Sequence, residues 1–300
     1  MEKNVSIQVQ SVLFNNEKDS LIKAAFNLDN AYRVEKKEKG LIESIKLVWG
    51  DASPKAIFTE SEIKDIIEKL NNIELEYKYF NENTGSAKGH NKMAEGTSHT
   101  YVMIMNPDVI VSPRFFAEIM KPFKDEKVGM VEGRQTPIEH QKEYDIKTGE
   151  TDWATTACAV IPTTLFEKLN GFDSDTFFLY CDDLDFSWRV RLEGYKIIYV
   201  PYAPAFHAKR LSSAGKWKPT SAEVYYSAEA AIMMAYKWSN HERVDKLVKQ
   251  FSKSASPDER KAADTFMKRK AENKLPECLD KEQKVARFLG DYYSENRFVL

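Results

Sequence analysis

The strongest constraint on the fold is an alternation, repeated between Val5 and Met105, of apolar strand-length runs with stretches of helical period. Val5 to Phe14 reads as a half-buried strand closed by Asn15-Asn16, and a helical pattern starts at Leu21. Ser44 to Trp49 is a second strand. It stops at Gly50-Asp51-Ala52-Ser53-Pro54, where glycine, aspartate and proline supply turn chemistry before a helix around Glu60 to Leu70. Glu74 to Phe80 alternates as a third strand, Lys88 to Glu95 is a short helix, and Thr100 to Met105 is the continuous apolar run of a fully buried strand. Strands and helices in this order predict an α/β fold with an open, mostly parallel central sheet flanked by helices.

Ligands of such sheets sit beyond the carboxyl ends of the strands, so the loops Phe14-Asn15, Asp51-Ala52-Ser53 and Asn106-Pro107-Asp108 are expected to converge on one crevice. The rhythm changes after the apolar strand Val128 to Glu132. Thr136 to Glu150 is polar, Trp153 to Ile161 reads as a strand, and Pro162 opens a helix. From Ser221 the pattern is helical to the C-terminus, with Met233, Tyr236, Trp238, Val244, Leu247 and Phe251 as apolar anchors.

Charge narrows the function classes. The chain of 300 residues carries 44 basic and 46 acidic side chains, a formal net charge of −2, so it lacks the basic footprint of a dedicated nucleic-acid binder and no nucleic-acid partner is expected. Cys158, Cys181 and Cys278 form no CxxC pair and leave an odd thiol, which suits a reducing compartment. The start MEKNVSIQVQ has no basic-then-apolar leader. Apolar stretches such as Tyr101 to Met105 and Ala230 to Tyr236 fall short of the roughly 18 to 20 residues that span a bilayer. The expectation is a cytoplasmic protein whose membrane contact, if any, is peripheral at the inner face.

Four segments could carry chemistry. Asp108 directly follows the buried strand, so its carboxylate projects into the expected crevice, where magnesium or manganese would share its shell with substrate phosphates. A turn aspartate bonding backbone N–H groups is the plainer alternative. Phe177 to Asp185 runs from aromatic residues into adjacent carboxylates at a helix start, and Leu184, Trp188 and Leu192 give that helix an apolar face. Asp185 can pair with Arg189 four residues on. Capping of the helix N-terminus is the plainer reading of Asp182 and Asp183; one of them suffices for it, and the other can act as a general base toward an acceptor hydroxyl that comes within hydrogen-bond reach. Tyr199 to His207 is a strand running into a proline-punctuated loop that ends in histidine; a lone histidine is more often a packed core residue than a ligand. Asn83-Thr84-Gly85 and Gly89-His90-Asn91 flank a turn where glycine permits close backbone approach, although an ordinary left-handed turn explains the glycines equally well.

Taken in order, these segments resemble the inverting family 2 glycosyltransferases of the GT-A fold, particularly the rhamnosyltransferase-like bacterial branch, over roughly residues 5 to 210. The most specific stretch is Asn170-Gly171-Phe172-Asp173, then Phe177 to Asp185, Trp188-Arg189, Arg191-Leu192, Gly194-Tyr195-Lys196 and Val200-Pro201 through His207. The resemblance implies a GT-A domain over 1–215, with a donor half to about residue 110 and an acceptor half over 111–215, and a helical extension over 216–300. It implies that Phe14, Asn15, Asp51, Asn83, Gly85, Asn91, Asn106 and Asp108 meet the nucleotide sugar, with Asp51 at the base or ribose. Asp108 and His207 would meet a divalent cation, Mn or Mg. Asp183 would be the general base and Asp182 its supporting neighbour, while Trp153, Thr155 and Thr156 would line the acceptor side.

This sequence departs from the family pattern in three places. Asn106 stands where a full DxD has its first carboxylate, Gly50 precedes Asp51 with Ala52 where asparagine is frequent, and Tyr225-Tyr226-Ser227-Ala228 lacks the arginines that follow the tyrosines in many relatives. Lys209 or Arg210 would be the substitute cation. The implied activity is transfer of a sugar from a dTDP- or UDP-linked donor to a glycan or lipid-linked glycan acceptor, in bacterial surface polysaccharide or cell-wall synthesis. A nucleotidyltransferase that releases pyrophosphate, and a non-catalytic sugar-nucleotide-binding assembly subunit, are the competing readings. The C-terminal lysines, among them Lys246, Lys249, Lys253, Lys268 and Lys270, read first as a solvated helical face and second as a contact with an anionic membrane surface or a second copy.

Overall fold

The computed structural model describes residues 5–137, 140, 142–207, 219–290 and 292–295. Its first half follows the alternation seen in the sequence: β1 (Val5–Leu13), α1 (Lys18–Glu38), β2 (Ile42–Asp51), α2 (Glu60–Ile67), β3 (Glu74–Tyr79), α3 (Gly85–Ala94) and β4 (Tyr101–Met105). Two of the helix starts have a clear local cause. Thr59 caps α2 through a reciprocal bond pair with Glu62, whereas α3 begins at Gly85, whose φ of +64° a side chain would strain.

Short elements follow: β5 (Val109–Val111), α4 (Phe115–Ile119) and a 3₁₀ turn over Lys121–Lys124. Then come β6 (Val128–Thr136), β7 (Cys158–Pro162), α5 (Thr163–Lys168), α6 (Asp182–Leu192) and β8 (Lys196–His207). The eight strands form one sheet in the order β3-β2-β1-β4-β7-β6-β8-β5. The first four strands are parallel, as the alternation predicts. The other half is mixed: β7 is antiparallel to both β4 and β6, β6 and β8 are parallel, and β5 is antiparallel to β8. The antiparallel insertion of β7 brings the ends of β4, β5 and β8 together, and this places Asn106, Asp108 and His207 side by side.

Three sequence expectations shift, the first being the near-continuous C-terminal helical pattern, which ends at Ala271 with no helix among the described residues beyond it. The strand expected from Trp153 to Ile161 begins only at Cys158, because the residues before it make loop contacts: the Ala154 N–H donates to Ser187 Oγ and Thr155 turns inward. Leu192, expected on the apolar face of α6, is 40% exposed, while Leu184 and Trp188 are buried.

The C-terminal helices are α7 (Ser221–Lys237), α8 (His241–Ser252) and α9 (Pro257–Ala271). Thr220 caps α7 with Glu223, and Pro257 occupies the first turn of α9. They share one apolar cluster with α6, in which Leu184 and Trp188 pack with Ile232, Met233, Trp238, Leu247 and Phe266. Burying side chains of this size contributes roughly 1.5–3 kcal/mol each. The extension is therefore joined to the helix that carries Asp182 and Asp183. Among the described residues no helix is long and apolar enough to cross a membrane.

Candidate active site

The loops after β1 and β2 meet as expected. Asn15, held at φ +53°, donates its N–H to Ser53 Oγ at 2.9 Å, and the Ala52 N–H donates to the Leu13 carbonyl at 2.9 Å. Phe14 is 47% exposed above this junction. Asp51 lies behind the loop, fully buried. Its carboxylate accepts from the N–H of Ser53 at 2.9 Å, from that of Ile57 at 2.8 Å and from the Tyr77 hydroxyl. With its oxygens engaged by the loop, Asp51 holds Ser53 and Ile57 in place from inside.

The turn into α3 behaves similarly. Asn83 is exposed and accepts from the Gly85 N–H at 3.4 Å. A Cβ on Gly85 would lie 2.3 Å from the Phe178 carbonyl oxygen, which accepts from the Ser86 N–H at 3.0 Å. Only glycine permits this closeness between α3 and the aromatic run before α6. Asn91 spends its whole amide on Phe172: Nδ2 donates to the carbonyl and Oδ1 accepts from the N–H, both at 2.8 Å. It thereby holds the Asn170-Gly171-Phe172 turn. His90 is a core residue, packed near Phe172, and burial pushes its pKa down to about 3.

At the end of β4 the Asn106 N–H donates to the Ala157 carbonyl at 2.9 Å, which fixes the loop bearing Asp108. His207 Nε2 lies 3.4 Å from Asp108 Oδ1 and 3.3 Å from Asn106 Nδ2. On the other side of the ring, Nδ1 is 3.0 Å from Gln135 Oε1. Among the described residues no cluster of three or more His, Cys, Asp or Glu side chains could hold a metal. The Asp108 and His207 pair nevertheless fits a divalent cation that draws further oxygens from a substrate diphosphate, and a ring oriented by a second hydrogen bond is the usual setting of a ligating histidine.

The carboxylates of α6 sit on a strained turn. Tyr180 and Cys181 both have positive φ, +70° and +57°. Each such non-glycine residue costs on the order of 1–3 kcal/mol and persists only where neighbours impose it. Here the neighbours belong to the C-terminal part: Tyr180 faces Glu223 of α7, and Cys181 faces Tyr293. Asp182 is buried beside the Ser86 hydroxyl, its Oδ2 has no hydrogen-bond partner among the described residues, and burial raises its pKa. Asp183 is half-buried and accepts from the Leu184 N–H at 2.8 Å. Burial first, and the charge of Asp182 second, push its pKa up to about 7, against the pull of the Leu184 N–H and of Lys142. Asp185 is structural: it accepts from Arg189 Nε at 2.8 Å and from Trp238 Nε1 at 3.1 Å.

On the expected acceptor side, Trp153 is half-buried, whereas Thr155 and Thr156 are buried. The Thr155 hydroxyl donates to Glu132 Oε1 at 2.8 Å. Glu132 and Lys142 form a buried ion pair at 2.5 Å, and the Lys142 ammonium lies 4.1 Å from the centre of the Trp153 ring. Sequence reading passed over these two residues. The signal was present in the single charge that ends the otherwise apolar run Val128 to Glu132, which requires a partner once buried. Lys209 and Arg210 lie outside the described residues.

No family model matches the chain. The rhamnosyltransferase WbbL of Escherichia coli (strain K12) is 26% identical over 138 residues, 36% of this chain and 51% of that protein. The poly-beta-1,6-N-acetyl-D-glucosamine synthase of Staphylococcus aureus (strain COL) is 28% identical over 156 residues, 46% of this chain and 37% of that protein. The chain thus spans about half, or less, of the length of these curated relatives. Among solved structures, GalNAc-T7 with UDP, GalNAc and Mn2+ superposes with a TM-score of 0.63 at 13% identity, over 94% of this chain and 57% of that one. The mannosyltransferase PcManGT from Pyrobaculum calidifontis, in complex with GDP-Man and Mn2+, superposes with a TM-score of 0.55 at 18% identity, over 89% of this chain and 75% of that one. The superpositions give the chain the GT-A fold, and its curated relatives make its sequence similar to that of family 2 glycosyltransferases.

Proposed function

We propose that the chain transfers a sugar, with inversion, from a nucleotide-diphosphate sugar to a hydroxyl of a glycan or lipid-linked glycan acceptor. The observation that carries this reading is the approach of His207 Nε2 to Asp108 Oδ1 at the carboxyl end of β8 and just beyond that of β4, the side on which open α/β sheets take their ligands. UDP- and dTDP-linked sugars are the donors to test first, and bacterial surface polysaccharide or cell-wall synthesis is the setting suggested by the two curated relatives.

In this reading Phe14, Asn15 and Asn83 border the nucleotide, Asp51 holds the loop behind it, and Gly85 lets α3 approach the aromatic run. A divalent cation held by Asp108 and His207 would neutralise the charge that develops on the departing diphosphate. Asp183 removes the proton of the acceptor hydroxyl as that oxygen bonds to the anomeric carbon and the bond to the diphosphate breaks. Its raised pKa suits the task, because a base is most effective near the working pH. Asp182 keeps the neighbouring position occupied by a carboxyl group that burial also favours in its neutral form. Trp153 offers an aromatic wall to the acceptor.

The exposed lysines of α8 and α9, such as Lys249 and Lys268, extend this proposal to a peripheral contact with anionic lipid that carries the acceptor. The donor assignment is tested by thermal shift of the full chain against UDP-, dTDP- and GDP-sugars, with and without Mn2+. Stabilisation by one nucleotide class, reduced on chelation, is expected. Indifference to every donor in the panel counts against the reading.

A further inference from the structure

A buried line of polar side chains runs from β6 to His207. Lys142 Nζ donates to Glu132 Oε2, the Thr155 hydroxyl donates to Glu132 Oε1, and Gln135 Nε2 donates to the Thr155 oxygen and, at 3.4 Å, to Glu132 Oε1 directly. Gln135 Oε1 then faces His207 Nδ1. Glu132, Gln135, Lys142 and Thr155 are each 3% exposed. Desolvating both members of the Glu132–Lys142 pair is costly, and apolar residues of similar size would pack there without that cost. Packing alone therefore does not explain the pair.

The explanation lies in the direction of the hydrogen bonds. We propose that Glu132 is a positioning residue that fixes the tautomer of His207 through Thr155 and Gln135, with Lys142 holding Glu132 in place. A carboxylate only accepts, so the single hydroxyl proton of Thr155 is committed to Glu132. The Thr155 oxygen is then left to accept, which turns the Gln135 amide nitrogen toward it. The amide oxygen of Gln135 consequently points at His207 and can only accept from it. Nδ1 is therefore the nitrogen that donates to Gln135, and Nε2 is left facing Asp108 and the Asn106 amide nitrogen. Every bond in the line follows from the one charge at its far end. The same charge pairs with Lys142, which packs over Trp153, so the acceptor wall and the donor-side histidine share one support.

The inference rests on the reading of Asp108 and His207 as the donor-side pair, and the test separates the two. Long-range proton–nitrogen NMR of the full-length chain reports the ring nitrogens of its five histidines, with His207 assigned by its loss in His207→Asn. Wild type is expected to show a protonated Nδ1 and a bare Nε2. Thr155→Val and Glu132→Gln are each expected to give a mixture of tautomers. They are also expected to weaken binding of Mn2+ alone, followed by water-proton relaxation, by about 10-fold. Lys237→Met removes a buried cation elsewhere and is expected to leave both readouts unchanged, which separates the effect from loss of stability. A His207 ring pattern identical to wild type in both folded Thr155→Val and folded Glu132→Gln overturns the proposal. A changed pattern in a chain that binds no Mn2+ upholds the line from Glu132 and removes the cation from the account.

Discussion

The ammonium of Lys237, at the end of α7, lies 2.7 Å from Asp185 on α6 and 2.6 Å from Asp173. Asp185 also accepts from Trp238 and Arg189, so one buried carboxylate joins the C-terminal helix to the helix that begins with Asp182 and Asp183. Arg269 of α9 adds a bond to the Asp175 carbonyl at 2.7 Å. The acidic stretch from Asp173 to Asp185 and the cation-rich C-terminal part are therefore docked on one another.

Removing one partner of a buried ion pair leaves an uncompensated charge. Lys237→Met is expected to lower stability by about 3 kcal/mol in denaturant unfolding, with transfer lost in proportion to the folded fraction. A change below about 0.5 kcal/mol would show that the clamp is dispensable.

Asp183→Asn is expected to reduce transfer by at least about 10²-fold with little change in donor binding, since the amide cannot accept the acceptor proton. In wild type the carboxyl must be ionised to act, so kcat should rise with pH through about 7. The sign for stability is opposite. A carboxyl whose folded pKa is raised favours the fold while protonated, and that contribution is lost as pH rises from about 4 to about 7. The thermal stability of Asp183→Asn relative to wild type should accordingly be greater at pH 8 than at pH 4. Turnover of the variant near the wild-type rate would take Asp183 out of the role.

Gly85→Ala places a Cβ against the Phe178 carbonyl at a φ of +64°. A destabilisation of more than about 1 kcal/mol is expected, together with weaker donor binding because the start of α3 must shift away from the aromatic run. Unaltered melting and donor KM would show that the turn has room to spare.

Asn91→Ala removes two hydrogen bonds to the Phe172 backbone. At about 1 kcal/mol each, the loss is near 2 kcal/mol, read as a lower melting temperature. This outcome differs from that of a donor ligand, whose loss would raise the donor KM at unchanged stability.

The parallel half of the sheet is legible in the sequence because its central β4, buried from Val102 to Met105, is apolar along that length, while the edge strand β3 shows its alternation. The antiparallel β7 is legible only at its end. Trp153 to Ala157 has strand composition, but its side chains serve the loop: Trp153 meets Lys142, and Thr155 bonds to Glu132. Asp183 stands out as one of adjacent acids after an aromatic run. Asp51 and Asn91 show the limit of such reading. A polar residue at the end of a strand looks alike whether it faces a ligand or holds the loop, and only the inward hydrogen bonds tell the two apart. Lys142 was hidden for a related reason, since a lysine in the polar stretch from Thr136 to Glu150 reads as solvated unless its partner is known to be buried.

The central claim is transfer from a nucleotide-diphosphate sugar at the Asp108–His207 crevice with Asp183 as base. It is tested most directly by proton NMR of wild type, Asp108→Asn and Asp183→Asn, each incubated with the donor that stabilises the chain, Mn2+ and a panel of glycan acceptors. The account predicts that wild type releases the nucleoside diphosphate and forms a glycoside of inverted anomeric configuration, while both variants fall by at least about 10²-fold. A product that retains the donor's configuration, or turnover that persists in Asp183→Asn, would contradict it.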